Sequence, residues 1–192
     1  LPRRLTVAGD ELRMEPAGAI ESVRGAHRRI GPLMMSANRT IALDGVEGNA
    51  IEIAAEIDTK NAAMVELNVL QSAHREEYTR IAFFQGRGYR QRAQPGRQYS
   101  FLPLDTAYSS TAADAKSRAP ETASVWIEEG ENLQLRVFVD KSVVEVFANG
   151  KQCVAARVYP ERADSLGVSL RSQGADSELL QLDCWQMSSI WT

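Results

Sequence analysis

Apolar and polar residues alternate with a period of two along much of the chain, most plainly in "IEIAAEID" at 51–58 and in "MVELNVLQ" at 64–71. Alternation of this kind marks strands with one face buried and one face wet. Reading the same pattern between turn residues predicts strands at 39–43, 50–58, 64–71, 78–85 and 99–104. After a polar, Ala- and Ser-rich loop over 106–122, strands are predicted at 124–127, 133–140, 143–148, 152–158, 166–171 and 179–185. At the start of the chain, Leu5 and Val7 precede Gly9 and Asp10, and Leu12 and Met14 follow, which predicts a hairpin stopped by Pro16. Ile20 and Val23 are spaced for one or two helical turns ending near Gly25, so at most one short helix is expected, at 17–25. Many short strands with turns between them predict an all-β fold, an antiparallel two-sheet β-sandwich of jelly-roll or concanavalin-like form. The expected division is a linker-like hairpin and short helix over 1–25 and the sandwich over 26–192.

The best-organised stretch is "LRVFVDKSVVEVFANGKQCVAARVYP" at 135–160. Asn149-Gly150 is a strong signal for a type I′ hairpin turn, because both central residues need positive φ. A two-residue loop there would set Ala148 opposite Lys151, Phe147 opposite Gln152 and Glu145 opposite Val154. A second loop at Lys141-Ser142 would set Val139 opposite Val144 and Phe138 opposite Glu145. One face would then carry Leu135, Val137, Val139, Val144, Val146, Cys153 and Ala155, a core face. The other would carry Arg136, Phe138, Asp140, Val143, Glu145, Phe147, Val154 and Ala156. Two aromatic rings and several aliphatic groups around three charges suit a surface that meets something. Arg136, Phe138, Asp140, Glu145 and Phe147 are therefore the candidate interface residues. Asp140 and Glu145 would lie diagonally across the pair with Cβ atoms under about 8 Å apart, which invites comparison with the about 5–5.5 Å that separates the two carboxyl groups of a retaining glycosidase. Arg136 is the expected ion-pair partner of Glu145, however, and an aspartate at a turn commonly accepts backbone N–H bonds. A structural role is the expectation for both acids.

Composition narrows the field. The 192 residues allow a core large enough to stand without disulfides or metals, burying about 70% of the unfolded surface. The formal net charge of −3 supplies no basic field for nucleic acid or an anionic membrane. No apolar run approaches the roughly 20 residues of a membrane span. Cys153 and Cys184 each lie inside an apolar run and are expected to be buried free thiols. His27 and His74 have no partner at ligand spacing, so no metal site is expected, and nothing implies a cofactor. Arg87, Arg90, Arg92 and Arg97 interleave with Tyr89 and Tyr99, a combination able to meet an anion or a sugar. Tyr89, Tyr99 and Trp126 are the candidate carbohydrate contacts, Trp185 and Trp191 being expected in the core or at a seam. The compartment is left open, for no signal peptide is visible.

The 135–160 block, followed by "LDCWQMSSIW" at 182–191, resembles the C-terminal module of glycoside hydrolase family 32, the family of invertases, levanases and inulinases. The opening "LPRRLTV…LRMEPAGAIESVR" resembles the segment that joins that family's propeller to its sandwich. The resemblance implies a fold in which a β-propeller carries the chemistry and a β-sandwich of two sheets follows it. The family's catalytic motifs, a "WMNDPNG"-like motif, an "RDP" motif and an "EC" motif, are missing from this sequence, so no catalytic residue is assigned. The resemblance implies a non-catalytic module that braces a propeller, inactive by itself, with the propeller as partner. The start at Leu1 fits a module separated from its enzyme. A homodimer and a fructan- or sucrose-type ligand remain as further expected partners, the latter in an alternative reading as an independent carbohydrate-binding module.

Overall fold

The computed structural model describes residues 1–9, 11–88 and 99–189. Among the described residues, fifteen strands form three sheets. β1 (Arg3–Ala8) and β2 (Glu11–Pro16) make a two-stranded hairpin, and a 3-10 turn, Ile20–Val23, follows it. The other strands are β3 (Arg24–Ile30), β4 (Leu33–Met35), β5 (Thr40–Glu47), β6 (Ala50–Asp58), β7 (Met64–Gln71), β8 (Thr79–Phe84) and β9 (Ser100–Asp105). They continue with β10 (Glu121–Val125), β11 (Leu133–Asp140), β12 (Val143–Ala148), β13 (Gln152–Arg157), β14 (Gly167–Gln173) and β15 (Ser177–Met187). A six-stranded sheet runs β10-β9-β8-β7-β14-β5, and a seven-stranded sheet runs β13-β12-β11-β6-β15-β3 with β4 also paired to β15. Every strand pairing is antiparallel, as predicted for the sandwich.

The core lies between the two large sheets. The seven-stranded sheet contributes Ile51, Ile53, Ile57, Val137, Val144 and Leu182, and the six-stranded sheet contributes Leu67, Val69, Ile81, Leu102 and Leu170. Each such side chain stabilises the fold by about 1.5–3 kcal/mol through loss of apolar surface to water. Odd positions of β6 and β11 face inward and even positions outward, which is the period-two pattern of the sequence made physical.

The predicted ranges 50–58, 64–71, 133–140 and 143–148 coincide with β6, β7, β11 and β12. The expected helix is a single 3-10 turn of four residues. β3 and β4 lie outside the predicted strands. β3 reads "RGAHRRI" and is largely exposed, so it shows no alternation, although it closes the edge of the seven-stranded sheet. Gly31 makes the corner between β3 and β4 at φ +117°, and a Cβ there would lie 2.8 Å from the Leu180 carbonyl oxygen. Only glycine meets both demands without strain.

Glu77, just before β8, clasps two loops, one carrying Thr111 and the other carrying Glu161, Arg162 and Ser165. Its side chain is fully buried. One carboxylate oxygen accepts from the Thr111 N–H (2.7 Å), the Thr111 hydroxyl (2.9 Å) and the Glu161 N–H (3.0 Å). The other accepts from the Arg162 N–H (3.1 Å) and the Ser165 hydroxyl (2.6 Å). Burial pushes this carboxyl up, but the bonds from Ser165 and from the Glu161, Thr111 and Arg162 amides outweigh it and hold it at about 2, against an ordinary 4.5. A group depressed in the folded state stabilises fully above its unfolded value and loses that contribution as pH falls through its folded value. Urea denaturation of the Glu77→Gln variant is expected to show a loss of about 2–3 kcal/mol at pH 7. The deficit relative to wild type should shrink as pH is lowered from about 5 to 2. A deficit constant across that range would contradict the clasp.

Candidate interface on the seven-stranded sheet

The outward face of the seven-stranded sheet gathers the candidate interface residues. Phe138 stands opposite Glu145 on one side and Glu52 on the other, and Glu52 stands opposite Trp185, which stands opposite His27. One cross-strand row thus runs Glu145–Phe138–Glu52–Trp185–His27. The next row runs Phe147–Arg136–Ala54–Asp183–Arg29. These rows follow from the register of five strands, and the Lys141-Ser142 loop sets the β11–β12 part of it as the sequence predicts.

The register of β13 differs from expectation by one residue. The Asn149-Gly150 turn forms, with φ of 50° and 61° and the Lys151 N–H donating to the Ala148 carbonyl at 2.9 Å. Lys151 is then an extra residue, so Ala148 pairs with Gln152 and Phe147 with Cys153, not Gln152. Glu145 accordingly faces Ala155, not Val154. The cause is Lys151 itself: its side chain is buried, with Nζ donating to the Trp126 carbonyl at 3.0 Å and to Glu131 Oε2 at 2.9 Å. A slip of one residue exchanges faces. Val154 and Ala156 join the core, and Cys153 packs outward against the phenylalanines.

Phe138 and Phe147 meet edge to face, ring centroids 6.0 Å apart. Both are buried, in a cluster with Ile20, Met14, Cys153 and Met187. Their cover is therefore the N-terminal hairpin and 3-10 turn of the same chain. Glu145 is buried beside them and binds the Leu1 amino nitrogen (2.5 Å) and the Arg3 guanidinium (3.4 Å). The expected Arg136–Glu145 pair does not form. Arg136 Nε donates to Glu52 at 2.6 Å instead, its other end reaching Glu21 at 3.4 Å. Glu52, on the strand to the other side of β11, competes for the same guanidinium and wins by also holding Arg24 through two bonds of 2.8 and 2.7 Å. Asp140 is exposed at the end of β11.

Beyond Glu52 the face continues as a second cluster. Trp185 carries the Arg24 guanidinium 4.0 Å from its ring centroid and the His27 ring stacked at 4.9 Å. His27, isolated in sequence, bonds Asp183 at 2.6 Å. Burial pushes the Asp183 carboxyl up, but bonds from Arg29, His27 and Gln181 together hold it below its ordinary range. Beneath the hairpin a cleft of about 330 Å³ opens between Glu15, Arg136, Asn149 and Asp183. Glu15, Glu56 and Asp183 are the acids of its lining, Asp183 being held by Arg29 and Glu56 accepting from the Asn132 amide, and among the described residues no group of three or more His, Cys, Asp or Glu could hold a metal.

The remaining candidates are scattered. Tyr99 lies 6.2 Å from Trp126, the rings tilted at 54°, and Trp126 Nε1 donates to Glu128 at 3.1 Å. Tyr89, Arg90, Arg92, Arg97 and Trp191 lie outside the described residues. Cys153 and Cys184 are free thiols, Cys184 buried as expected and Cys153 only half-buried, each pushed up to about 11 by burial. No helix among the described residues is long and apolar enough to cross a membrane.

The class the fold defines is an antiparallel two-sheet β-sandwich with a hairpin laid across one face. The chain belongs to the family described as glycosyl hydrolases family 32 C terminal, whose model matches residues 20–186. It is 26% identical over 196 residues to a levanase of Bacillus subtilis, spanning 100% of this chain and 27% of that protein. It is 26% identical over 217 residues to β-fructofuranosidase 1 of Zea mays, spanning 97% of this chain and 32% of that one. Among solved structures it resembles fructan 1-exohydrolase IIa of Cichorium intybus with a TM-score of 0.84 at 17% identity, over 98% of this chain and 40% of that one. That likeness is one of fold. The chain therefore spans roughly a third of the length of these curated relatives.

Removing one partner of a buried ion pair is costly because the other charge is left without compensation. Glu52→Gln is expected to lower stability by about 3–5 kcal/mol, whereas Asp140→Asn at an exposed position should change it by less than about 0.5 kcal/mol. Paired urea titrations of the two variants check the contrast.

Proposed function

We propose that the chain is a non-catalytic C-terminal sandwich of a β-fructofuranosidase, levanase or inulinase type of enzyme and that it braces an N-terminal catalytic propeller. The observation that carries this is the match to the C-terminal family over residues 20–186 in a chain that spans 27% of a levanase. Residues 1–25 act in this reading as the joining segment. Arg136, Phe138, Glu145 and Phe147 seat that segment on the sheet through Glu21, Ile20, Met14 and Arg3, and Asp140 stands at the rim. The exposed side chains of Leu5, Val7 and Leu12 on the hairpin give the brace an apolar contact. The reaction of the whole enzyme would be hydrolysis of a fructofuranosyl bond by two carboxylates, both on the propeller.

The purified chain is expected to release no fructose from sucrose, inulin or levan above a heat-killed control. Turnover that disappears in Glu145→Gln would instead place the chemistry on this sandwich. In the inactive chain Glu145→Gln is expected to loosen residues 1–25, read as faster amide hydrogen exchange over that segment with little change in β6 or β15.

A further inference from the structure

One short side chain opens the cleft beneath the N-terminal hairpin. The outward positions of β6 include Glu52, Ala54 and Glu56, and Ala54 stands between Arg136 of β11 and Asp183 of β15. A longer side chain there would occupy the gap, and the alanine leaves it open and is itself only half-buried. Met14, Glu15 and Pro16 of β2 border the cleft on the hairpin side. They are propped on the β12–β13 turn by the Met14 N–H, which donates to the Gly150 carbonyl at 2.8 Å, and by the Arg13 guanidinium, which donates to the Asn149 carbonyl at 3.4 Å. The space, about 330 Å³, falls at the small end of the about 300–1,000 Å³ that small-molecule sites occupy.

The walls carry polar groups that the fold leaves unused and that water reaches. Glu15 and Gln134 are exposed, and neither side chain bonds any described residue. Glu56, half-buried, accepts from the Asn132 amide at Oε1 (2.8 Å) and has Oε2 open. Gln181, exposed, donates its amide nitrogen to Asp183 and has its carbonyl oxygen open. Arg136, half-buried, uses Nε on Glu52 and Nη2 on Glu21, and Nη1 is left over. Gln134, Glu56 and Gln181 lie side by side on β11, β6 and β15, in the row next to Arg136, Ala54 and Asp183.

That inventory selects a ligand. An anion would face the carboxylates of Glu15, Glu56 and Asp183. A cation would suit the two open carboxylates but would leave the Gln134 amide N–H groups and Arg136 Nη1 with nothing to bond. A hydroxyl group donates and accepts at once, so a neutral polyol answers the open acceptors and the open donors together. Ala54 and Met14 add apolar surface for the C–H face of a ring.

We propose that this cleft is a binding site for one ring of a neutral sugar, its hydroxyls shared among Glu15, Gln134, Glu56, Gln181 and Arg136. The site does not rest on the bracing role, for a chain that releases no fructose can still bind here, and the two readings fail in separate experiments. Heteronuclear NMR of the full chain would follow the Gln134 and Gln181 side-chain amides and the Ala54 methyl group during titration with a fructan oligosaccharide, a glucan oligosaccharide, spermidine and sodium sulfate. Saturable movement of those signals with at least one sugar, at a Kd of about 1 mM or tighter, is expected. Ala54→Leu, which fills the gap from the outward side of the sheet, should weaken it by about tenfold or more, and Gln134→Ala by about fivefold, each with signals elsewhere in the chain unchanged. Gln134 is exposed, so its variant still decides the matter if Ala54→Leu does not fold. Three results would overturn the site: no saturable movement with either sugar, movement with spermidine or sulfate alone, or sugar binding that the folded variants leave intact.

Discussion

A carboxylate with no accessible surface, Glu52, organises the outward side of the seven-stranded sheet. Charge taken out of water is tolerated only where opposite charge and hydrogen bonds surround it. Arg24 and Arg136 supply both, and each in turn fixes a neighbour: Arg24 lies over Trp185, and Arg136 reaches Glu21. Through these contacts β3, β6, β11, β15 and the 3-10 turn are held in one arrangement. The buried phenylalanines and the seat of the N-terminal hairpin depend on that register.

The two-sheet sandwich was legible in the sequence because its central strands obey one rule. β6, β7, β11 and β12 carry large apolar side chains on alternate positions, and burial of that face dictates both their extent and their orientation. Edge strands escape the rule. β3 buries almost nothing and is kept in the sheet by ion pairs to Asp183 and Glu52, contacts made across more than 25 residues of sequence. No local pattern announces such partners. The same reason defeated the pairing of Arg136, whose nearer neighbour in sequence, Glu145, lost to an acid on another strand.

The β12–β13 turn shows a different limit. Its dipeptide was read correctly, and the positive φ values are those the chemistry demands. Register also depends on where the next side chain goes, and Lys151 goes inward because Trp126 and Glu131 offer it an oxygen each. A buried lysine is too rare to expect from composition. The buried polar positions on the outward side of the six-stranded sheet were likewise hidden. Asn68 and Glu66 read as ordinary wet positions of an alternating strand, and only the assembled sheet shows that both are taken out of water.

The one-residue slip at Lys151 has left a reporter in the molecule. It turns Cys153 outward, beneath Met14 and beside Glu145, where burial lifts its thiol to about 11. At neutral pH only on the order of one molecule in ten thousand then presents the thiolate that alkylating reagents attack. That half-buried sulfur becomes more reactive when the strands above it lift. Its modification rate is therefore a clock for the parting of the N-terminal segment from the sandwich, readable by mass spectrometry without altering a single residue.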